Sequence, residues 1–401
     1  MAKVVDLVQV QELLEALRTV RDPRVEGRCR HLLEDVLALS VIAVLCGAES
    51  IVDIAEFGRA KETWLRKFLK LPHGIPSHDT IARVLSILNT EELNQVFADW
   101  VKSIIDEKGT KTVSVDGKST KGTERGFNKK HRPLHTVSVY SHELGLTLCE
   151  EESNSSGNAE VGAAMRCIEL LDLKGATVLG DAAFARPSFV EKIRAQGGHY
   201  ILPVKLNSKG SYEELEDLFS QFKGQKKRAV EEGHGRREER TCHLLSSKSL
   251  TAEFKDKWPG VKSVFVIHRI REDEDKRYSV QKRDKNGKTY YEVNENFGGY
   301  KSKESRVFYV SSKALTPDEA LVEVRKHWSI ENNLHWVLDV AFREDSWSVR
   351  SKKLAKKLSL IRKIALNLIR SSPTKGSVRI RIKRAGWDTS FLEQLLFGGL
   401  I

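Results

Sequence analysis

The chain has 401 residues, 40% hydrophobic and 30% charged, so it is long enough for two or three domains with a sizeable core. Its 67 basic and 55 acidic residues give a net charge of +12, which is typical of a protein with a polyanionic partner such as nucleic acid, with plain solubility as the alternative. Scattered cysteines, no signal-peptide pattern and no apolar run near the roughly 20 residues of a membrane helix exclude a membrane span and favour a cytoplasmic protein.

The first part of the chain, residues 1–108, is predicted to be a helical domain. An amphipathic pattern covers residues 1–22, and a long apolar run predicts a buried helix over residues 25–47. Three more helices are expected before residue 106. The residues expected to stop or cap these helices are Gly47, Ser50, Ser77 or Asp79, and Thr90.

Apolar and polar residues begin to alternate at residue 111, which is typical of strands. Over residues 109–205 the pattern predicts three strands, a helix, a strand, a helix and a strand. Such an order gives a mixed α/β fold, in which helices pack on a mixed sheet.

The next stretch, residues 206–312, has one helical segment followed by further strand-like segments, and we expect it to be a β-rich insertion. Within it, "EEGHGRREER" predicts a polar hairpin, although its His234 could equally contact DNA. In the last part, residues 313–401, the helical pattern runs from Thr316 and Pro317, which open it, to about Ser371, and the tail "GWDTSFLEQLLFGGLI" predicts a short final helix.

Two aspartates stand at the ends of predicted strands. Asp116 lies in "VSVDGKS" and Asp181 in "VLGDAAF", each followed by small residues that leave space near the carboxylate. If their strands are neighbours, the two carboxylates lie close together and repel each other unless a proton or a cation lies between them. A divalent cation such as Mg²⁺ takes oxygen ligands of this kind.

A third acid lies in the stretch "HWSIENNLHWVLDVAFREDSW", residues 327–347. His327, Glu331, His335 and Asp339 recur every fourth residue there, which predicts a polar stripe beside an apolar helix face. Glu331 could be a metal ligand, a general base or an ordinary rim residue. Taken singly, each of the three acids is more often a structural residue.

Other interpretations of this stretch are open. A zinc site with His327, Glu331 and His335 is conceivable, but the histidines of a zinc helix stand four residues apart and these stand eight apart. The tryptophans of the stretch predict core or rim packing, with base stacking at a DNA end as the alternative. These tryptophans are Trp328, Trp336 and Trp347.

Together, "VSVDGKS", "VLGDAAF" and "HWSIENNLHWVLDVAF" resemble the DDE transposases of the IS4 superfamily, and within it the ISAs1 group, also called H-repeat-associated proteins. "DPRVEGRCRHLLEDVLAL", "GIPSHDTIARV", "NAEVGAAMRCIELLDLKG" and "EEGHGRREER" resemble that group in the same order, over nearly the whole chain. The resemblance implies an RNase H-like catalytic core interrupted by a β-rich insertion. It also implies that Asp116, Asp181 and Glu331 are the catalytic, metal-binding triad.

The implied protein is the transposase of a bacterial insertion sequence, which hydrolyses phosphodiester bonds at the element ends and transfers the strand into target DNA. The resemblance implies Mg²⁺ as the cofactor, with two ions per site and Mn²⁺ as a substitute. It also implies double-stranded DNA as the partner, as terminal inverted repeats and as target, and a homodimer in the synaptic complex. The N-terminal domain is the candidate for reading the ends. A DNA-binding relative that is inactive or domesticated, and a stand-alone nuclease, are the alternatives.

The chain departs from the superfamily around Glu331. Where the superfamily has a tyrosine, an arginine and a lysine, this chain has Val324, His327 and Leu338, and of these only a protonated His327 could donate to a phosphate. We therefore expect other side chains to contact DNA. The candidates are Lys118, Lys121, Lys205, Arg325, Lys326, His327 and His335, with a pairing of His335 and Asp339 as the structural alternative for that histidine.

Overall fold

The computed structural model describes residues 9–105, 110–124, 133–153, 159–233, 236–274, 279–283, 289–293, 300–347, 349 and 351–397. The chain forms two compact units. The first unit comprises Met1–Phe184, Lys192–His199 and Lys326–Ile401. The second unit comprises Ala185–Glu191 and Tyr200–Arg325.

Five helices open the first unit, as the helical pattern predicts. They are α1 (Gln9–Arg18), α2 (Leu33–Leu45), α3 (Ile51–Leu65), α4 (His78–Ile87) and α5 (Thr90–Ile105). The predicted start of the second helix is wrong, because α2 begins at Leu33 and not at residue 25. Gly27, with φ +77°, has a left-handed backbone that interrupts the helical pattern. The predicted stop is confirmed, since Gly47 follows the helix with φ +95°.

Side-chain caps fix the starts of these helices. Ser50 Oγ accepts a hydrogen bond from Asp53 N at 3.1 Å, and Ser77 Oγ accepts one from Thr80 N at 3.3 Å, which confirms both serines as caps. The prediction of Thr90 as a cap is wrong. Asn89, one residue earlier, caps α5 instead, because its Oδ1 accepts from the backbone nitrogens of Glu91 and Glu92 at 2.8 and 3.1 Å.

Four strands form the sheet of the first unit. They are β1 (Thr112–Thr120), β2 (Leu134–Ser141), β3 (Leu146–Glu152) and β4 (Thr177–Gly180), in the order β3-β2-β1-β4. β1, β2 and β3 pair antiparallel, whereas β1 and β4 pair parallel. Helix α6 (Ala159–Glu169) packs on β2 and β3. This order and these directions are those of an RNase H-like core, so the predicted mixed α/β fold is confirmed.

Helix α7 (Pro187–Ala195) leads to the strands of the second unit. The elements that follow are β5 (His199–Val204), α8 (Lys209–Ser220), β6 (Gln225–Gly233), β7 (Arg236–Ser246), α9 (Ala252–Lys257), β8 (Ser263–Glu274), β9 (Ser279–Arg283), β10 (Thr289–Val293) and β11 (Tyr300–Ser311). Five strands lie in the order β5-β11-β8-β7-β6, and β9 pairs with β10. The β-rich insertion is thus confirmed, with β6 and β7 as a hairpin. His234 lies outside the described residues, and the sequence pattern did not predict α9.

The described elements after β11 are mainly helical. They are α10 (Pro317–Ile330), a π-helical turn (Glu331–His335), α11 (Trp336–Ala341), α12 (Lys352–Ser371), α13 (Val378–Trp387) and α14 (Thr389–Phe397). The second unit includes α10 as far as Arg325, and the elements after α10 belong to the first unit. Thr316 caps α10 as predicted, since its Oγ1 accepts from Glu319 N at 3.3 Å. Helix α12 packs against α2, α4 and β3. Within the described ranges, no helix is long and apolar enough to cross a membrane.

Candidate active site

Asp116 and Asp181 lie side by side at one edge of the first unit's sheet. The parallel strands β1 and β4 pair Val115 with Gly180, so the two aspartates are the next residues in register. The Asp116 side chain is 24% exposed and its Oδ1 accepts from Gly117 N at 3.0 Å, whereas Asp181 is exposed and its Oδ1 accepts from Ala183 N at 2.8 Å. The two strands are therefore neighbours, which is the condition under which the sequence predicts that the two carboxylates lie close together.

The surroundings of Asp116 disfavour its charged form. Burial, with a smaller contribution from the negative charges of Asp181, Glu331 and Glu160, raises the pKa of this carboxyl to about 7 against the opposing effect of the Gly117 hydrogen bond. A carboxyl held this way binds either a proton or a cation at neutral pH. A divalent cation would relieve the same repulsion.

Glu331 and His335 bring the third acid to this edge. Both belong to the π-helical turn, where Trp336 N donates to Glu331 O. His335 Nδ1 lies 3.0 Å from Glu331 Oε2 and 3.6 Å from Asp116 Oδ2. One ligand atom from each of Asp116, Glu331 and His335 lies within 4.8 Å of the other two, and such a set of oxygen and nitrogen donors fits a divalent cation.

The two histidines of the predicted stripe are held neutral by burial. Burial, with a smaller contribution from His335, lowers the pKa of His327 to about 4 against the opposing effect of the Asp181 charge. Burial also lowers the pKa of His335, against the Glu331 hydrogen bond. A protonated His327 is the form that could donate to a phosphate, and the site disfavours that form at neutral pH.

Lys118, two residues after Asp116, lies in a carboxylate cluster. Its Nζ is 2.6 Å from Asp339 Oδ1, 2.9 Å from Glu344 Oε2 and 3.7 Å from Asp345 Oδ1. Burial alone would lower the pKa of Lys118, but Glu344 and Asp339 raise it above its ordinary value. Asp339 thus pairs with Lys118, and the alternative pairing with His335 is not the one that forms.

The cluster continues into the core through Glu344, which is fully buried. Glu344 Oε1 lies 3.3 Å from Ser359 Oγ and 3.4 Å from Arg362 Nη1, and the guanidinium of Arg362 lies 3.9 Å from the Trp347 ring centroid. Sequence reasoning missed this network, because its members stand far apart in the chain and no local pattern marks them.

Gly117 provides space beside Asp116. A Cβ atom at this position would lie 2.8 Å from His135 Nε2 and 3.1 Å from Glu160 Oε1. His135 Nε2 lies 2.5 Å from Glu160 Oε1, and His135 Nδ1 is 2.8 Å from Ser119 Oγ. The space that the sequence predicts after Asp116 is thus occupied by the side chains of His135 and Glu160, which the sequence did not indicate.

The other DNA-contact candidates are distributed between the units. Lys121 is exposed in the first unit, with its Nζ 3.8 Å from Asp345 Oδ2, and Lys326 Nζ lies 3.2 Å from Thr112 Oγ1. Lys205 follows β5 and is exposed in the second unit. Arg325 is also exposed in the second unit, where it pairs with Glu231. Val324 and Leu338, the departures from the superfamily, are half-buried and buried.

The tryptophans near Glu331 differ in exposure. Trp328 and Trp336 are 63% and 58% exposed, whereas Trp347 is 5% exposed beneath Arg362. Core packing is therefore the role of Trp347 alone. The two exposed rings lie three residues before and five residues after Glu331 in the chain.

A cleft with a basic lining lies among the N-terminal helices. Segment 24–31 and α4 border it, and its arginines are Arg24, Arg28, Arg30 and Arg83. Arg24 pairs with Asp22 at 2.6 Å. No hydrogen bond or ion pair engages the side chains of the other three arginines in the part of the chain that the structure describes. This is a suitable surface for a polyanion.

Known protein families and curated relatives match this chain over most of its length. Residues 14–101 match the family described as DDE_Tnp_1-associated, and residues 104–368 match the family described as Transposase DDE domain. The chain is 32% identical over 399 residues to "Putative transposase YncI" of Escherichia coli O157:H7, covering 97% of this chain and 95% of that one. It is 27% identical to "H repeat-associated putative transposase YhhI" of Escherichia coli strain K12, covering 98% and 99%.

One solved structure is also similar. The piggyBac transposase synaptic complex with hairpin DNA has a TM-score of 0.40 and 9% sequence identity, and the match covers 98% of this chain and 82% of that one.

Proposed function

The chain belongs to the Transposase DDE domain family and is a DDE transposase, and from this premise we propose that Asp116, Asp181 and Glu331 are its catalytic triad. The observation that carries the proposal is the register of β1 and β4, which makes Asp116 and Asp181 neighbours. The approach of Glu331 and His335 to Asp116 supports it. DNA cleavage by this enzyme class would then take place at this edge of the sheet.

The triad would hold divalent metal, which we propose to be two Mg²⁺ ions, with Mn²⁺ as a substitute. Bound ions of this kind would supply activation of the nucleophile and stabilisation of the leaving oxygen in an in-line phosphoryl transfer. Asp116, Asp181 and Glu331 would hold the metal against which the phosphodiester is positioned, so that water would hydrolyse it at the element end and the freed 3′-hydroxyl would attack the target strand. The Lys118 cluster keeps β1 next to the segment that follows Glu331.

Double-stranded DNA is the proposed partner. The basic cleft between segment 24–31 and α4 would contact the phosphates of the element ends, because three of its arginines are exposed and have no side-chain partner among the described residues. Trp328 and Trp336 would stack on bases that leave the duplex near the cut. Lys121, Lys205 and Arg325 remain proposed backbone contacts, and a homodimer would bring the two ends together.

The finer assignments follow from the same proposal. We assign the chain to the ISAs1 group and divide it into an end-binding domain (1–108), a core in two parts (109–205 and 313–401) and an insertion (206–312). A catalytically inactive DNA-binding relative is the second candidate. The presence of all three acids favours the active enzyme.

The test is cleavage of a plasmid that carries the gene with its native flanks, in Mg²⁺ or Mn²⁺. We expect metal-dependent cuts at both flanks for the wild type and loss of cutting for Asp181→Asn. The matched control is Asp217→Asn, an exposed acid of the second unit, which should cut normally. If the wild type binds its flanks but never cuts with either metal, the inactive relative is the better assignment.

A second measurement tests the cleft. Replacing Arg28, Arg30 and Arg83 by alanine should weaken binding to the flanks and reduce the slope of log K against log salt by about 0.9 per lost phosphate contact. The control replaces three lysines of the second unit, Lys248, Lys255 and Lys257, and should leave binding to the flanks intact. Equal losses in both variants would mean that only total charge matters.

A further inference from the structure

His335 is a buried polar side chain that points at the proposed catalytic acids. Only 4% of it is exposed, and its Nδ1 faces Glu331 Oε2 and Asp116 Oδ2. Its other ring nitrogen, Nε2, is also buried and has no hydrogen-bond partner among the described residues. Nδ1 therefore donates its proton to the Glu331 carboxylate in this geometry, and a cation bound there would replace that proton, leaving the imidazole protonated on Nε2.

The separations between these atoms fit a coordination sphere. A metal ion with ligands at about 2.1 Å and at right angles places neighbouring ligand atoms about 3.0 Å apart. His335 Nδ1 is 3.0 Å from Glu331 Oε2 and 3.6 Å from Asp116 Oδ2. The first value is the one expected for neighbouring ligands of an octahedron, and the second is longer, so the Asp116 carboxylate would move closer to the ion on binding.

The two carboxylate charges around His335 Nδ1 also favour a bound cation. Asp116 and Glu331 both direct a carboxylate oxygen toward Nδ1, and a neutral imidazole can donate a proton to only one of them. A cation between the three atoms satisfies both carboxylates and the nitrogen together. Oxygen-only sites suit Mg²⁺, whereas a nitrogen donor shifts the preference toward first-row transition ions.

We propose that His335 is a direct ligand of one of the two catalytic ions, beside Asp116 and Glu331, and that this mixed site binds Mn²⁺ in preference to Mg²⁺. This proposal rests on the proposed triad. It adds a ligand that the three-acid motif does not contain. It also assigns the two ion positions different chemistry, because only one of them has a nitrogen donor.

The test is pulsed electron paramagnetic resonance of the full-length protein loaded with Mn²⁺. We expect the modulation of one directly bound ¹⁴N nucleus, and its replacement by the ¹⁵N pattern when the protein contains ¹⁵N-histidine. The labelled wild type needs no substitution, so a folding defect cannot mimic the result. His335→Gln should lose the nitrogen modulation and bind Mn²⁺ about tenfold more weakly or worse, with little change in Mg²⁺ affinity. The matched control is His327→Gln, on the same helical segment, which should keep the modulation.

Bound Mn²⁺ without nitrogen modulation would overturn the proposal, as would modulation that survives in His335→Gln or disappears in His327→Gln. Flank cleavage by the same preparation separates this inference from the proposed function. Asp181-dependent cutting without nitrogen modulation would refute the histidine ligand alone. Nitrogen modulation that depends on His335, in a protein that does not cut, would support the ligand and count against the proposed function.

Discussion

The ammonium nitrogen of Lys118 lies 2.6 Å from Oδ1 of Asp339, and this contact ties the strand that carries Asp116 to the helix that follows Glu331. Its effect is long-range, because the two residues are 221 positions apart in the chain. The proposed triad therefore depends on an ion pair that is not itself part of it. The same lysine also neutralises the buried Glu344.

The first prediction concerns that lysine. Lys118→Met keeps the aliphatic stem but leaves Glu344 buried without its strongest neighbouring cation, and we expect a loss of about 3–5 kcal/mol of unfolding free energy. Lys121→Met, at an exposed position, should change it by no more than about 0.5 kcal/mol. Urea unfolding monitored by circular dichroism measures both. Equal stabilities would show that Lys118 has no structural role and would restore it as a candidate DNA contact.

The second prediction concerns pH. Since the pKa of Asp116 is raised to about 7, the folded protein binds this proton more tightly than the unfolded chain does, whose pKa is near 3.8. The stability that the protonated carboxyl contributes is complete below about pH 3.8 and is lost as the pH rises from there to about 7. Without metal, Asp116→Asn should therefore stabilise the protein on the order of 2–3 kcal/mol more at pH 8 than at pH 5.

Unfolding in EDTA at both pH values measures this effect. Asp217→Asn, at an exposed carboxylate, is the control and should show no such pH-dependent gain. A constant difference between Asp116→Asn and the wild type from pH 5 to pH 8 would contradict the raised pKa.

The third prediction separates the tryptophans. Trp347→Ala removes a buried ring and should cost about 3–5 kcal/mol of stability. Trp328→Ala and Trp336→Ala remove exposed rings, so we expect little change in stability but a loss of about 1–3 kcal/mol in binding to DNA with unpaired bases at the end. Fluorescence anisotropy with fully paired and frayed duplexes distinguishes the two cases. If both exposed-site variants bind frayed ends like the wild type, base stacking is ruled out for these rings.

The fourth prediction concerns the space beside Asp116. Gly117→Ala would place a methyl group 2.8 Å from His135 Nε2 and 3.1 Å from Glu160 Oε1, so the His135–Glu160 pair must move. We expect cleavage to fall by an order of magnitude or more while the protein stays folded, since mispositioning of about 1 Å can cost roughly a hundredfold. Gly162→Ala is the control, because the nearest atom outside its helix backbone, Arg166 Nη1, is 3.8 Å away. That variant should cut normally and gain up to about 1 kcal/mol of helix stability. Normal cutting by Gly117→Ala would mean that the pair adjusts without consequence.

Patterns of neighbouring residues in the sequence are sufficient to predict much of the fold and part of the candidate site. The alternation in "KTVSVDGKST" predicted β1, and the position of Asp116 within it follows from that strand. The serine caps were readable because a cap acts on residues two or three positions ahead. The role of Asn89 as the cap of α5 was not predicted, because Asn89 and Thr90 are adjacent and both residue types are good caps. The sequence alone does not distinguish which of the two begins the helix.

Long-range features could not be read in the same way. In the sequence, Arg362 and Lys363 have the pattern of an exposed basic segment. In α12 both side chains are buried, and they form ion pairs with Glu344 and Glu150 respectively. Helix α13 was missed because "VRIRIK" alternates like a strand. It is helical since Ser377 caps it and Ile382 packs in the core. In each case the deciding partner is distant in sequence.

The π-helical turn makes the length of this segment as important as its composition. A π-helical turn corresponds to one residue inserted into an α-helix, and here it is closed by the bond from Trp336 N to Glu331 O. Deleting Asn332 or Asn333 would remove the extra residue and restore an ordinary α-helix, so the helix after the deletion would keep about the same face. Glu331 and His335 would then be three residues apart in the chain instead of four, and the approach of the histidine to the acid would change although every acid was still present. A one-residue deletion here therefore tests the geometry of the site separately from its composition, which a scan of substitutions would never do.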